Sequence, residues 1–383
     1  MTSSQTPPAR AVHPRAVLLT IDYTPQTGGQ PLLVSSIINS TSDMIDWCVV
    51  TAAPGPETPQ VVRTNGYLGL ARAAWGLRDW LAAADDRLVV SGHVYLGPLA
   101  HAVGLATRSA VSTLCYGREL VPARMVQRLA LATMRLDHRV VTISSNSERL
   151  VHGLGVDPSR TEWVGCELRP QFASATAPRP SGGAGLRLVT ITRLAEGYKN
   201  LEVTLRAVAV LVADGTVDHY TIVGDGPRME PLCERVAQLD LDDHVTLTGR
   251  LDNDALGLVL AGSDIGLFSS RNSQAEGGFE GFGIAVQELA AAGLPVIVGN
   301  AAGASDAVRP DWGTLVDPDN LLDWVDAISA LAQDEPERRR RSESAFDFGQ
   351  CLDTSITARA YLDALRGGPT PTPIDRRKLM GIF

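Results

Sequence analysis

Short apolar runs recur along this chain, and a stretch long enough for a helix follows each of them. Such alternation is typical of strand–helix–strand units, which build parallel sheets covered by helices. With 383 residues, of which 44% are hydrophobic, the chain can bury more than one core, and we expect two α/β domains. The runs are residues 16–21, 47–51, 88–90, 111–114, 140–143, 186–192, 220–223, 245–247 and 296–298.

One segment separates the two series of runs. Residues 173–185 are rich in alanine, proline, serine and glycine, which is the composition of an interdomain linker. We predict a disordered lead over residues 1–15, a first α/β domain over 16–172 and a second over 186–351. Residues 352–366 are predicted to form a final helix, and residues 367–383 a polar, proline-broken tail.

The stretch from Glu280 to Glu288 joins a glycine loop to the start of a helix. Its loop, Gly281, Phe282 and Gly283, lets the backbone approach a ligand closely, and good helix formers follow. Unpaired N–H groups and the positive end of the helix dipole favour a phosphate at such a helix start. We place Glu280 at the mouth of this anion site and Glu288 about one turn inside the helix. The alternative is a capped amphipathic helix whose glutamates are surface charges.

Two glutamates at this spacing across a Gly-Phe-Gly loop, followed by Gly-Leu-Pro-Val at residues 293–296, resemble the signature of family 4 glycosyltransferases. The resemblance implies the GT-B fold: two Rossmann-like domains that face each other across a cleft, with a C-terminal helix crossing back to the first. It also implies that Glu280 contacts hydroxyls of the donor sugar and that Glu288 holds the ribose. The backbone from Gly281 to Ile284 would then meet the diphosphate.

Two cations open the second domain. Arg193 and Lys199 lie six residues apart, at a predicted strand end and near a helix start, which suits two cations that converge on one anion. In the family, the matching residues neutralise the β-phosphate of the leaving nucleotide. We therefore expect both to act on charge in the transition state far more than on folding. The alternative is two surface cations, although lysine occurs only at residues 199 and 378.

The first half of the chain offers residues for the other side of the cleft. Gly28 and Gly29 lie in a Pro-x-x-Gly-Gly turn, which resembles the family's loop facing the donor phosphates and the acceptor. His93 follows a predicted strand, where open α/β sheets bind ligands, and it either orients an acceptor hydroxyl or caps the next helix. Tyr116 stands where the family's Thr-x-His-Gly-x-Glu segment has histidine, so the usual acceptor-side contact is altered here.

Residues 121–139 are predicted to form one helix. On a helical wheel, Arg124, Arg128, Arg135 and Arg139 share one side, and apolar residues occupy the neighbouring arc. A basic amphipathic helix of this kind binds an anionic acceptor or a lipid surface. The favoured interpretation is the solvated face of a helix that covers the sheet.

Three further segments bear on the donor. The turn at Gly249 and Arg250 lies near the nucleobase in relatives. The sequence Asp252 to Asp254 matches the D-x-D metal motif of a different glycosyltransferase fold, but it directly precedes a predicted helix, where such residues act as caps. We therefore predict no metal and no cofactor. The loop of residues 271–279, longer than relatives usually have, is expected to shape donor choice.

Composition excludes several classes of protein. A net charge of −9 argues against nucleic acid as a partner. Five scattered cysteines without a C-x-x-C pair argue against a disulfide framework and a zinc site. No apolar run approaches the length of a membrane span, and we expect a cytoplasmic protein. Met229 occupies the third glycine position after Gly224 and Gly226, which argues against NAD.

These observations predict a retaining, metal-independent glycosyltransferase. It would transfer a hexose-type sugar from a nucleotide diphosphate sugar to a hydroxyl of a small-molecule acceptor. Two alternatives stay open at the level of sequence. One is a nucleotide-sugar epimerase of similar architecture, which would need no acceptor. The other is a degenerate sugar-nucleotide binding protein, which would bind the donor without turnover.

Overall fold

A computed structural model of the protein describes residues 13–24, 29–121, 125–166, 185–273, 275 and 278–367. These residues form two α/β domains, each built on a parallel sheet. The predicted linker, residues 173–185, lies outside the described residues apart from Gly185. The same holds for most of the predicted lead and tail.

The first domain contains a sheet of parallel strands with helices on both faces. In the strand Arg15–Thr20, Val17 and Leu19 point toward the side covered by the helices of residues 66–107, and Ala16 and Leu18 point toward the side covered by the helix Gly29–Thr41. This alternation follows from the two-residue period of a strand. Among the described residues, the strands are β1 (Arg15–Thr20), β2 (Asp46–Thr51), β3 (Val61–Arg63), β4 (Arg87–Ser91), β5 (Ala110–Cys115), β6 (Arg139–Thr142) and β7 (Thr161–Trp163). The helices are α1 (Gly29–Thr41), α2 (Gly66–Gly76), α3 (Arg78–Ala82), α4 (Gly97–Thr107), α5 (Met125–Ala132) and α6 (Ser145–Gly153).

The second domain repeats this plan. Trp324 of α11 and Tyr220 of β9 are fully buried in the core between the sheet and its helices. In the described part of this domain, the strands are β8 (Leu186–Ile191), β9 (Val217–Val223), β10 (Val245–Gly249), β11 (Ile265–Phe268), β12 (Val296–Gly299) and β13 (Gly313–Val316). The helices are α7 (Leu201–Ala213), α8 (Met229–Gln238), α9 (Asn253–Ala261), α10 (Ile284–Ala291), α11 (Leu321–Gln333), α12 (Glu335–Cys351) and α13 (Thr354–Arg366).

Both sheets reverse their strand order once. The order is β3-β2-β1-β4-β5-β6-β7 in the first domain and β10-β9-β8-β11-β12-β13 in the second, and the paired strands are parallel. In each sheet, the order in which the chain adds strands therefore reverses once. The reversal lies between β1 and β4 in the first domain and between β8 and β11 in the second. Ligands of open α/β sheets bind outside the carboxyl ends of the strands at such switch points. The predicted fold class, two Rossmann-like domains, is confirmed.

The last helix returns to the first domain, as predicted. Helix α13 packs against α1, β5 and β6. The Tyr361 hydroxyl lies 2.8 Å from the carbonyl oxygens of both Val164 and Gly165, and the Ser112 hydroxyl donates to the Leu365 carbonyl oxygen at 2.7 Å. Two hydrogen-bonding side chains therefore attach the end of the second domain's chain to the first domain.

The predicted helix over residues 121–139 is wrong in its extent. The α-helix ends at Ala132, a 3-10 turn follows over Thr133–Leu136, and Arg139 begins β6. A single arginine face through Arg139 therefore does not exist. The strand β3 was not predicted. Among the described residues, no helix is both long enough and apolar enough to cross a membrane.

We expect Tyr361→Phe to lower the free energy of unfolding by about 1 kcal/mol, because two buried carbonyl groups lose their hydroxyl partner. Urea unfolding would measure this change. Tyr67→Phe is the matched control, since Tyr67 is half exposed and its hydroxyl does not attach α13. Equal stabilities for the two variants would contradict a role of this hydroxyl in fixing α13.

Candidate active site in the interdomain cleft

The candidate site residues follow the carboxyl ends of strands in both domains. His93 comes two residues after β4, and Tyr116 directly follows β5. Arg193 comes two residues after β8, and Lys199 ends the 3-10 turn that precedes α7. Because carboxyl ends of parallel strands lie at one edge of a sheet, each domain presents its candidates to the cleft. Gly28 lies outside the described residues.

The two domains touch at backbone level. A Cβ atom on Gly281 would lie 2.5 Å from the carbonyl oxygen of Tyr116, closer than real Cβ contacts allow. A Cβ atom on Gly117 would lie 3.3 Å from the Gly281 Cα atom. Glycine at position 281 is therefore required by close approach of the other domain, in addition to any ligand. The sequence had suggested only the ligand.

The helix start predicted to bind phosphate is present. Gly283 is the N-cap residue of α10 with φ +88°, a conformation that favours glycine, and Ile284 is the first helical residue. The Phe282 ring is buried, in contact range of Gly165, so this residue offers its backbone and not its side chain to a ligand. A Cβ atom on Gly29 would lie 2.6 Å from Ile284 Cδ1, which places the starts of α1 and α10 side by side. Two helix N-termini thus meet in the cleft.

Lys199 and Glu280 form a largely buried ion pair. Lys199 Nζ lies 2.7 Å from Glu280 Oε2, and the Ser270 hydroxyl donates to the same oxygen at 3.3 Å. The two side chains are only 12% and 14% exposed. Burial raises the pKa of Glu280, but Lys199, with smaller effects of Ser270 and Arg193, lowers it to a net value below the usual one. Burial lowers the pKa of Lys199, and Glu280 raises it to a net value above the usual one. Both groups are charged at neutral pH.

Arg193 has a different environment. Its side chain is 73% exposed, and its Nη2 lies 3.3 Å from Glu196 Oε1. Arg118 of the first domain approaches the same oxygen at 3.8 Å, so Glu196 links cations of both domains. A cavity of about 220 Å³ borders Arg193 and Lys199 and is also lined by Arg228 and Arg271. The cations give this part of the second domain an environment suited to anions.

Sequence reasoning missed Arg118, Glu196 and Asp306 as interdomain residues. Asp306 accepts hydrogen bonds from the Ser145 backbone N–H at 2.7 Å and the Ser145 hydroxyl at 2.9 Å, and thereby caps α6 from the other domain. Burial raises the pKa of Asp306, although these hydrogen bonds oppose the rise. The only signal in the sequence was the position of Asp306 in a segment resembling Gly-Gly-x-x-Glu.

The acceptor-side candidates are buried. The His93 ring accepts a hydrogen bond at Nδ1 from the Tyr95 backbone N–H at 3.3 Å, which confirms the cap interpretation. Burial lowers the pKa of His93, although Glu119 and Asp22 oppose the shift. Burial and the neighbouring Glu119 raise the pKa of Tyr116, so its phenol stays protonated. The Tyr116 hydroxyl has no hydrogen-bond partner among the described residues.

The remaining candidates lie in the second domain. Glu288 lies one turn into α10, with its side chain buried. Gly249 ends β10 with φ +70°, its carbonyl oxygen accepts from the Gly224 N–H, and the exposed Arg250 follows. Asp252 Oδ1 accepts from the Ala255 N–H at 2.8 Å, which confirms it as the cap of α9. The described residues contain no group of three side chains suited to hold a metal ion.

Because Lys199 forms a buried ion pair, its replacement should affect the stability of the protein as well as its activity. We had expected its removal to affect folding little, but it would leave Glu280 buried without its cation. Lys199→Met should therefore destabilise the protein by roughly 1–3 kcal/mol at pH 7. In the wild type, the depressed pKa of Glu280 contributes stability above its usual value of 4.5, and this contribution is lost as pH falls through the lower folded pKa.

In Lys199→Met, burial alone raises the pKa of Glu280, so its ionised carboxylate costs stability as pH rises toward 7. The stability difference from wild type should therefore grow between pH 4 and pH 7, as measured by urea unfolding at each pH. The control compares Glu280→Gln with the double variant Lys199→Met/Glu280→Gln. Neither has a carboxyl at position 280, so their stability difference should not change between pH 4 and pH 7. An equal difference between wild type and Lys199→Met at both pH values would show that the pair is not coupled.

Comparison with known proteins covers both halves of this architecture. Residues 185–348 match the family described as "Glycosyl transferases group 1". A GDP-mannose-dependent α-(1-6)-phosphatidylinositol monomannoside mannosyltransferase of Mycobacterium tuberculosis is 33% identical over 47% of this chain and 46% of its own. A D-inositol 3-phosphate glycosyltransferase of Rhodococcus opacus is 32% identical over 53% of this chain and 46% of its own. The chain thus spans about half the length of these curated relatives.

The crystal structure of HepE from Anabaena in complex with UDP shares the fold over nearly the whole chain. It covers 92% of this chain and 100% of its own, with a TM-score of 0.74 at 16% identity. Likeness at this identity concerns the fold. Residues 185–348 are therefore similar to the glycosyl transferases group 1 family, and the chain shares the two-domain GT-B fold.

Proposed function

We propose that the protein is a glycosyltransferase that moves a hexose-type sugar from a nucleotide diphosphate sugar to a hydroxyl of a small-molecule acceptor. The observation that carries this proposal is the meeting of Lys199, Glu280 and the N-terminus of α10 in the interdomain cleft. A cation, a carboxylate and free backbone N–H groups are the three elements needed for a diphosphate attached to a sugar. The matched family and the UDP-bound HepE structure support this donor class.

The residues divide between the two parts of the donor. Arg193 and Lys199 stabilise the negative charge that grows on the departing diphosphate, and the backbone from Gly281 to Ile284 donates to its oxygens. Glu280 accepts hydrogen bonds from hydroxyls of the sugar, and Glu288 from those of the ribose. In this proposal, Gly28 and Gly29 face the phosphates from the first domain, and Gly249 and Arg250 lie beside the nucleobase.

The ion pair suits Lys199 to this role. In the free protein, Glu280 keeps Lys199 protonated despite burial, so a full positive charge is already in place when an anion arrives. Its desolvation has been offset by Glu280 during folding, and the group needs little reorganisation during the reaction. Preorganised charge of this kind stabilises a transition state more than mobile surface charge does. Arg193, which is exposed, has to become ordered on the donor.

The stereochemistry of transfer is assigned from the resemblance to family 4 glycosyltransferases. We propose retention of anomeric configuration by a front-face route, in which the leaving phosphate accepts the acceptor proton. This route assigns no proton transfer to His93. The lowered pKa of His93 suits that assignment, because a neutral ring that accepts at Nδ1 keeps its proton on Nε2 and can donate a hydrogen bond to an acceptor oxygen without losing that proton.

The acceptor in this proposal is a hydroxylated small molecule or the hydroxylated headgroup of a larger one. The names of two relatives show the two forms: one contains inositol 3-phosphate and the other phosphatidylinositol monomannoside. We assign Tyr116 and His93 to this side of the cleft, where both side chains are buried.

The test begins with thermal-shift screening of nucleotide sugars. A donor at 100 times its dissociation constant should stabilise the protein by about 2.7 kcal/mol. The selected donor is then incubated with hydroxylated acceptors, and transfer is followed by release of the nucleotide diphosphate. Isomerisation of the donor without acceptor would support the epimerase, and donor binding without turnover would support the degenerate binding protein.

Arg193→Ala should lower kcat by roughly 10²- to 10³-fold, because it removes one cationic contact to the charge that grows on the leaving group. Its exposure predicts an unchanged unfolding midpoint. Arg206→Ala is the matched control, since Arg206 is an exposed arginine of α7 outside the proposed site. Unchanged kcat in Arg193→Ala would remove Arg193 from the diphosphate site.

We also propose that transfer needs no metal ion. The proposed phosphate contacts are Arg193, Lys199 and backbone N–H groups, and Asp252 is engaged as the cap of α9. The initial rate in excess EDTA should therefore equal the rate with added Mg²⁺ or Mn²⁺. The metal-free mechanism would be overturned if EDTA abolished transfer, if added metal restored it, and if Asp252→Ala or Asp254→Ala removed the restored activity.

A further inference from the structure

One helix of the first domain leaves its apolar side chains in solvent. In α5, Ala130 and Leu131 are buried against the domain, but Met125, Val126 and Leu129 are 69%, 76% and 64% exposed. Leu136, in the turn after the helix, is exposed in the same way. The solvated-face interpretation requires these apolar residues to pack on the sheet while only the arginines face water. Their exposure shows that this interpretation is wrong.

We call these exposed residues and the adjoining arginines the α5 surface: Met125, Val126, Arg128, Leu129, Arg135 and Leu136. On a helical wheel of α5, Arg128, Met125, Leu129 and Val126 span an arc of about 160° opposite the buried side. Five of the sixteen exposed large hydrophobic side chains in the described part of the chain lie between residues 121 and 136. Contiguous exposed apolar surface of this kind marks an interaction site.

The charge of this surface is opposite to that of the whole chain. The chain has a net charge of −9, with 43 acidic residues, but residues 121–136 contain no aspartate or glutamate. Arg128 and Arg135 are both exposed. An apolar centre flanked by arginines complements a surface that is anionic at its headgroups and apolar beneath them.

A cavity at the edge of the α5 surface fits the same partner. It measures about 220 Å³ and is lined by Arg128, Leu131, Ala132, Arg135 and Leu154. Arg135 Nε donates to the Leu154 carbonyl oxygen at 2.7 Å, which holds this guanidinium at the cavity wall. Two guanidinium groups at one small cavity suit an anionic headgroup, because arginine binds phosphate in a fixed, bidentate geometry.

We propose that the α5 surface docks the protein on an anionic lipid bilayer. Met125, Val126 and Leu129 enter the boundary between headgroups and acyl chains, and Arg128 and Arg135 bind anionic headgroups. Helix α5 follows, by only a few residues, the turn that carries Arg118 at the cleft. The docked bilayer therefore lies beside the acceptor half of the cleft. This last step rests on the proposed function and makes the acceptor a membrane lipid with a hydroxylated headgroup.

The test uses the full chain without donor, in co-sedimentation with vesicles of phosphatidylcholine alone or with 30% phosphatidylglycerol, a composition of roughly one anionic lipid in three. We expect binding to the anionic vesicles only, and weaker binding at high salt. Leu129→Glu should abolish binding, and Arg128→Gln should weaken it by about fivefold, the equivalent of one arginine near an anionic surface.

Leu258→Glu is the matched control, since Leu258 is 78% exposed on α9 of the second domain. It should bind vesicles as the wild type does. Equal loss of binding in Leu258→Glu, or no binding of the wild type to anionic vesicles, would overturn the proposal. So would a dimer in sedimentation velocity that Leu129→Glu dissociates, because a second copy would then occupy the α5 surface.

Failure of the docking proposal can be distinguished from failure of the proposed function. Leu129 lies outside the donor site, so Leu129→Glu should retain the thermal shift given by the selected nucleotide sugar. Loss of vesicle binding with an intact donor shift supports docking. A wild type that binds vesicles but shows no shift with any nucleotide sugar would retain the docking surface and overturn the donor assignment and the lipid acceptor.

Discussion

The close approach of the two domains at Gly281 and Tyr116 determines the geometry of the cleft. Backbone of the second domain lies against a carbonyl group of the first, at a distance that leaves no room for a side chain. Helix α13 and the Asp306 cap on α6 hold the domains together on either side of this contact. Because three separate interactions fix this arrangement, the starts of α1 and α10 stay side by side. An anion bound there would receive backbone N–H groups from both domains.

Charge within the cleft is arranged in two layers. Lys199 and Glu280 form a buried layer that is already desolvated and charged. Arg193 and Arg118, whose side chains are exposed, form an outer layer that spans the domains through weak ion pairs with the largely buried Glu196. The buried pair supplies preorganisation, and the outer pairs are screened by water and can be exchanged for a ligand at little cost. A site that binds and releases an anionic substrate needs both properties.

The α5 surface adds a third region beside the cleft. In a protein whose net charge is negative, a stretch with arginines and no acids, and with apolar side chains in solvent, is an exception that the fold itself does not require. The buried residues Ala130, Leu131 and Met134 already attach this segment to the domain. The outward apolar residues therefore contribute little to folding, and the hydrophobic free energy of their exposed surface is available for a partner.

The sequence by itself determined most of the strands, the two-domain architecture and the residues at the strand ends, because buried strands and glycine turns leave local patterns. It also predicted the Asp252 cap and the glycine loop before α10. It did not reveal that Lys199 pairs with Glu280 across 81 positions, that Glu196 joins Arg193 to Arg118, or that Gly281 is constrained by Tyr116. Such contacts depend on how the two domains pack, and the local periodicity of a sequence carries no information about domain packing. The exposure of Leu129 was equally hidden, since an amphipathic pattern defines an apolar face and only the tertiary structure decides whether that face is covered.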